Sequence, residues 1–237
     1  MGIERDRIVE EAVRRTGLET FGDSSFIEGL DQLIASINAD RDLPDQARAA
    51  AGQRLTGLLE QRLRLYADRQ TYPEIAAQRI ERPLIVIGMP RSGTTFLHSL
   101  LAQDPASRSP LAWQLGQVSP PPRRETFDSD PRIAATDAAQ AGLPQDFRIM
   151  HLVGAKLPDE CNAILNMGFF SPNFDASWNV RSYMDWFAQA DARPRYELHR
   201  HMLQHLQAFT TGERWVLKAP PHMFHIAALI DAYPDAA

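Results

Sequence analysis

The segment 83–101, PLIVIGMPRSGTTFLHSLL, constrains the fold more strongly than any other part of the sequence. It opens with a short apolar run rich in β-branched residues, bounded by proline and glycine, as is typical of a buried parallel strand. It closes with apolar side chains at helical spacing, namely Phe96, Leu97, Leu100 and Leu101. The order strand, glycine-bearing loop, helix therefore predicts an α/β domain whose loop lies at the carboxyl end of a strand.

A second strand is indicated by the apolar run 214–217, RWVL, which Lys218 and the sequence APP follow directly. Helices are predicted over 131–141, 159–169, 194–209 and 222–232. This alternation favours an α/β fold of the P-loop-like, three-layer αβα type with a short parallel sheet.

Residues 1–82 have a different character, because their apolar side chains recur only at helical spacing and no chemically reactive groups cluster there. We therefore divide the chain into a helical N-terminal region, 1–82, and an α/β domain, 83–237. A helix that ends in YPDA, as here, normally leads into a further strand. We accordingly expect the C-terminal part of the α/β domain to be missing from this chain.

Composition limits the classes of function. The formal net charge of −5 provides no global positive field for nucleic acid, so an anionic ligand needs a local site. Cys161 is the single cysteine, which excludes an intramolecular disulfide and favours a reducing, cytoplasmic compartment. No stretch approaches the roughly 20 apolar residues of a membrane span, so we expect no membrane association.

The loop has the glycine spacing of a nucleoside-triphosphate loop but lacks its lysine. Gly88 and Gly93 match the G-x-x-x-x-G-K-[ST] pattern, and Thr94 stands where the lysine should be. The backbone N–H groups and dipole of a helix N-terminus still favour an anion. Ser92 and Thr95 add hydroxyl donors, and Arg91 adds a forked cation suited to phosphate or sulfate oxygens.

Triphosphate chemistry is disfavoured by two further features. No apolar strand ends in the aspartate that usually holds magnesium, and no His/Cys group has metal-ligand spacing, so the site is expected to be metal-free. A site with arginine and lysine fits a donor whose transferred group is less charged than a terminal phosphate, such as a sulfuryl group. Two alternatives stay open: a nucleotide kinase or hydrolase with a degenerate P-loop, and an inactive truncated nucleotide-binding domain.

Several segments together resemble a known family. GMPRSGTT after an apolar strand, with RWVLKAPPHMF further along, resembles the sulfotransferases that use PAPS (3′-phosphoadenosine 5′-phosphosulfate). The bacterial branch with an N-terminal helical region is most similar, since HLVGAKLPDECNAIL (151–165) and TGLETFGDSSFIEGLDQLI (16–34) also fit it. Members of that family continue into a strand and an Arg…Ser element that holds the 3′-phosphate, which implies that this chain lacks the element.

The resemblance implies roles for individual residues. The loop residues would wrap the 5′-phosphosulfate of PAPS, and they are Arg91, Ser92, Gly93, Thr94 and Thr95. Lys218 would reach the bridging or sulfuryl oxygens, and Glu160 would be the base for a hydroxyl or amine on a small-molecule or glycan acceptor. His222 is the second candidate for the base, with His98 and His151 behind it.

Read from the residues alone, these roles leave alternatives open. Lys218 stands at the carboxyl end of a strand, where α/β proteins bind ligands, but strand-end lysines are also common on surfaces. Glu160 begins a helix, where an acid also favours the helix dipole. The aromatic residues of 169–187 either line an acceptor pocket or form core.

Overall fold

The computed structural model describes residues 2–150 and 152–237, in which many helices surround a small sheet. The helices are α1 (Arg5–Thr16), α2 (Phe26–Ala39), α3 (Asp45–Thr71), α4 (Pro73–Ala76), α5 (Thr94–Leu101), α6 (Ala112–Gly116), α7 (Pro131–Ala141), α8 (Gln145–Met150), α9 (Asn162–Met167), α10 (Arg181–Phe187), α11 (Arg193–Gln207) and α12 (Ile226–Ala232). Short 3₁₀ helices span Arg124–Thr126, Pro172–Phe174 and Pro220–His225.

The sheet has three parallel strands, β1 (Leu84–Val86), β2 (Ser107–Arg108) and β3 (Arg214–Lys218), in the order β1-β3-β2. The predicted α/β fold with a short parallel sheet is thus confirmed, with β3 one residue longer than predicted. The register pairs Val86 with Lys218, so the loop after β1 and the end of β3 meet at one edge of the sheet.

The two faces of β3 have different surroundings because side chains alternate along a strand. Trp215 and Leu217 belong to the main apolar core, and the Trp215 indole N–H donates to Gln207 Oε1 on α11 at 2.8 Å. The Lys218 side chain points to the other face, where Thr95 of α5 accepts a hydrogen bond from its Nζ at 3.1 Å. The sheet therefore separates the apolar core from the helix that follows the glycine loop.

The N-terminal helices pack onto the rest of the chain. The helical nature of 1–82 is confirmed by α1 to α4, and α2 contacts α10 while α3 contacts α9 and α11. One apolar cluster runs from Ile3 to Tyr233 and includes residues of both regions. Side chains of α3 also bond to α11, since the Tyr66 hydroxyl lies 3.2 Å from His201 Nδ1 and Arg69 Nη1 donates to Gln204 Oε1 at 3.0 Å. The boundary between 82 and 83 as a domain division stays a prediction.

The predicted helices are found with some changes in their bounds. Helix α7 matches its predicted span, and α11 begins and ends close to the predicted residues. The helix expected over 159–169 is shorter. The one expected over 222–232 is replaced at its start by the 3₁₀ helix Pro220–His225, whose first two residues are prolines, and α12 follows it. The aromatic residues of 169–187 are mainly core, with Phe169, Phe174, Tyr183 and Phe187 almost fully buried.

Across residues 2–150 and 152–237, no helix is both long enough and apolar enough to cross a membrane.

Candidate active site

The loop between β1 and α5 has the tight conformation that its glycines allow. Gly93 adopts a left-handed conformation, with φ of 86°, and its carbonyl accepts the first helical bond of α5 from Leu97 N at 3.0 Å. A Cβ on Gly88 would lie 2.7 Å from Thr94 Cγ2. Ser92 closes the loop, since its Oγ donates to Met89 O at 2.7 Å. These contacts present the N-terminus of an eight-residue helix to solvent at the sheet edge.

Arg91 is the cation of this loop. It is exposed and has a φ of 67°, an uncommon conformation for a side chain with a Cβ. Its guanidinium makes no hydrogen bond or ion pair with the rest of the chain in 2–150 and 152–237. All five N–H donors of Arg91 are therefore available to an anion at the helix N-terminus.

Helix α5 is fixed to the sheet by His98. The imidazole is buried, its Nε2 lies 3.1 Å from Val216 O on β3, and burial lowers its pKa. A neutral ring that donates to a strand carbonyl holds the loop helix in place. This placement gives His98 a structural role and removes it from the candidates for the base.

Lys218 lies at the centre of the site. Its side chain is 2% exposed, and its Nζ contacts Thr95 Oγ1 and forms a close ion pair with Glu160 Oε1. The structure thus brings together one residue from the loop helix, one from the end of β3 and one from the segment before α9. Glu160, at 24% exposure, lies on the side open to solvent.

Main-chain bonds hold the segment that carries Glu160. Asp159 N donates to Pro110 O at 2.8 Å, and Cys161 N donates to Lys218 O at 2.9 Å. Asn162 Nδ2 donates to Glu160 Oε2 at 2.6 Å, so each carboxylate oxygen has a different partner. Our sequence reasoning missed Asn162, because an asparagine at a helix start carries no signal beyond capping.

The other predicted bases are not brought to this pair. His222 is fully buried, its Nδ1 lies 3.2 Å from the Tyr196 hydroxyl, and burial holds its pKa well below the usual range. An acceptor group in solvent has no access to His222 in this conformation. His151, which was a weaker candidate together with His98, lies outside the described residues.

The geometry supports transfer of an anionic group. A helix N-terminus and free Arg91 provide positive potential at one sheet edge, and the charge of buried Lys218 is balanced there by Glu160, which lies in direct contact with it. These features bring a P-loop-like turn, a free arginine and a strand-end lysine together at one edge of an α/β sheet.

The chain belongs to the sulfotransferases. The model of the Sulfotransferase family matches residues 83–237, which include the loop, Glu160 and Lys218. The expected resemblance is therefore confirmed at the level of the family.

Two solved structures are similar over nearly the whole chain. The sulfotransferase STF9 of Mycobacterium avium is 35% identical with a TM-score of 0.90, over 99% of this chain and 61% of that one. The sulfotransferase STF1 of Mycobacterium tuberculosis H37Rv is 32% identical with a TM-score of 0.84, over 98% of this chain and 65% of that one. The chain thus spans less than two thirds of the length of these structures. Among curated proteins, no match is found.

Proposed function

We propose that the protein transfers the sulfuryl group of PAPS to a hydroxyl or amine of a small-molecule or glycan acceptor, without a metal in the reaction. The observation that carries this proposal is the contact of Lys218 with both Thr95 and Glu160, because it places a cation between the donor loop and a proton acceptor. The family match and the two similar sulfotransferases support the reaction type. The single free cysteine favours a reducing, cytoplasmic compartment.

The loop residues fit a phosphosulfate group. The N–H groups at the start of α5 and the hydroxyls of Ser92, Thr94 and Thr95 offer neutral donors to its oxygens. Arg91 offers charged donors that nothing else in the described chain engages. The tight contact at Gly88 and the left-handed Gly93 leave no side chain between the loop backbone and a bound oxyanion.

The transfer step is an in-line displacement at sulfur. The acceptor oxygen or nitrogen forms a bond to sulfur while the bond from sulfur to the bridging oxygen breaks, and the electron pair stays on the leaving phosphate. Lys218 stabilises this developing charge, and Arg91 with the loop N–H groups stabilises the charge on the other oxygens. Glu160 takes the proton from the acceptor.

In the structure Lys218 and Glu160 neutralise each other. Donor binding must therefore draw Lys218 towards the bridging oxygen, which frees Glu160 Oε1 for the acceptor proton. Asn162 keeps its hydrogen bond to Oε2 and so retains the carboxylate in place during this exchange.

Two experiments test the function. Calorimetry should show binding of PAPS, or of its desulfated product, without magnesium and tighter than binding of ATP with magnesium. Incubation with sulfur-labelled PAPS and a panel of phenols, sterols, amines and glycans should yield a labelled product. Magnesium-dependent ATP binding with no affinity for PAPS would contradict the proposal and support a nucleotide kinase or hydrolase.

Arg91→Ala is expected to weaken binding of the desulfated donor by about 10- to 100-fold, because a free guanidinium on phosphate oxygens is lost. The affinity of Arg91→Lys should lie between those of wild type and Arg91→Ala, since lysine keeps the positive charge but not the forked pair of guanidinium donors. Arg124→Ala, which removes another exposed arginine, is the matched control and should leave the affinity unchanged. Equal affinity of wild type and Arg91→Ala in calorimetry would remove Arg91 from the site.

A further inference from the structure

A second cluster of reactive side chains lies in the core, directly behind the catalytic pair. Cys161 Sγ and one ring nitrogen each of His199 and His222 lie within 4.8 Å of one another. All three side chains are fully buried. Cys161 follows Glu160 in the chain and bonds to the Lys218 carbonyl, so the cluster adjoins both residues of the proposed reaction. Its members are far apart in sequence, so they do not form a short metal-binding motif that the sequence alone would reveal.

Each imidazole has one nitrogen occupied and one free. His199 Nδ1 lies 2.6 Å from the Tyr233 hydroxyl, and His222 Nδ1 lies 3.2 Å from the Tyr196 hydroxyl. Nε2 of both rings is buried without a hydrogen-bond partner in the part of the chain that the structure describes. An unpaired buried nitrogen costs free energy, so two such rings in one cluster with a buried thiol call for a ligand.

The hydrogen bonds of the two rings suit a metal ligand set, because tyrosine hydroxyls lie against both Nδ1 atoms and both Nε2 atoms are left for an ion. Neutral imidazoles with Nδ1 bonded to an oxygen form the usual outer arrangement of metal-bound histidine.

We propose that Cys161, His199 and His222 bind one d¹⁰ metal ion, Zn²⁺ or Cu⁺. A thiolate with two imidazoles suits both ions. On binding, the bond from sulfur to the metal forms, the thiol proton leaves to solvent, and each histidine binds through Nε2 as a neutral ring. Ligand atoms around one such ion lie roughly 3.4–3.8 Å apart, so atoms that are now within 4.8 Å of one another must close by up to about 1.4 Å.

The buried Arg195 bears on which ion is bound. Its Nη2 donates to Pro221 O at 3.0 Å, and its Nε and Nη1 have no partner among the described residues. Burial lowers its pKa, and charge on Cys161 acts in the opposite direction. A thiolate therefore provides the counter-charge that Arg195 lacks. With three ligands and this cation close by, the singly charged Cu⁺ leaves one less unit of buried charge than Zn²⁺.

The ion would connect three elements at the site. Cys161 precedes α9, His199 lies on α11, and His222 lies in the 3₁₀ helix that follows Lys218. Binding would fix the backbone on both sides of the catalytic pair, and the ion must enter during folding because the cluster is closed to solvent.

Metal content of the whole chain tests the proposal without any assay of transfer. Wild-type protein is refolded anaerobically with Zn²⁺ in one arm and with Cu⁺ under reductant in the other, then desalted and analysed by mass spectrometry. We expect about one ion per chain in at least one arm and a melting temperature raised by several degrees. In a third arm, Co²⁺ should give a thiolate-to-cobalt charge-transfer band.

Variants identify the ligands. Cys161→Ala and His199→Gln should retain less than roughly one tenth of an ion per chain and lose the cobalt band. His201→Gln, which removes a neighbouring histidine of α11 that lies outside the cluster, is the matched control and should bind like wild type. No metal in either arm with an unchanged melting temperature of the wild type would overturn the proposal. Equal metal content in Cys161→Ala would overturn it as well, and neither result depends on sulfuryl transfer.

Discussion

Lys218→Ala is expected to lower the rate of sulfuryl transfer by roughly 10²- to 10³-fold, because it removes the cation at the end of β3 that is placed to stabilise the leaving oxygen. The effect should fall mainly on kcat, since the charge on that oxygen develops only in the transition state. The loop and Arg91 still hold the donor in this variant. The measurements are single-turnover transfer from labelled PAPS and calorimetry with the desulfated product.

Two controls make this result interpretable. Lys156→Ala removes the other lysine of the chain, which pairs with exposed Asp128 at 2.8 Å, and should leave transfer unchanged. The double variant Lys218→Ala/Glu160→Gln removes the carboxylate that Lys218→Ala leaves unpaired beside an anionic donor. If Lys218→Ala loses donor affinity and transfer rate by the same factor, and the double variant does not restore the affinity, Lys218 acts in binding and not on the developing charge.

Glu160→Gln is expected to lower transfer by roughly 10²- to 10⁴-fold, because an amide cannot accept the acceptor proton. The change is nearly isosteric, and the side chain can still accept the hydrogen bond from Asn162. Affinity for the desulfated donor should be unchanged or higher, since Lys218 loses the partner that competes with the phosphosulfate. Calorimetry and single-turnover transfer measured on the same preparation separate the two effects.

The matched control for this variant is Asp159→Asn, which removes the neighbouring carboxylate but not the contact with Lys218. Full activity of Glu160→Gln would remove Glu160 from the reaction and require another base. His222 could serve only if the 3₁₀ helix Pro220–His225 opened, since that histidine is enclosed by the core.

Local patterns in the sequence were sufficient to predict the strands, the loop and the helix that carry the site. The apolar runs of β1 and β3, the glycines of the loop and the helical spacing of α5 each depend on residues close together in the chain. A parallel sheet then brings Lys218 to the loop, because the carboxyl ends of its strands share one edge. Strand β2 has two residues, too few for any apolar period to be read.

Contacts between segments that are distant in the chain could not be predicted from such local patterns. Glu160 and Lys218 are 58 residues apart, and their ion pair follows from the bond between Cys161 N and Lys218 O, which no local pattern encodes. The burial of His222 depends on how two prolines turn the chain after β3. Cys161 and His199 meet only because α9 and α11 pack together, so a search for ligand spacing could not find them.

The pairing of Val86 with Lys218 limits how members of this lineage can vary in length. Because side chains alternate along a strand, one residue gained or lost between Arg214 and Lys218 would turn the lysine from Thr95 into the apolar core. One residue gained or lost in β1 would likewise shift the start of the loop by one position relative to Lys218. Evolutionary insertions and deletions can therefore accumulate in the segments between the strands, whereas β1 and β3 must keep their length.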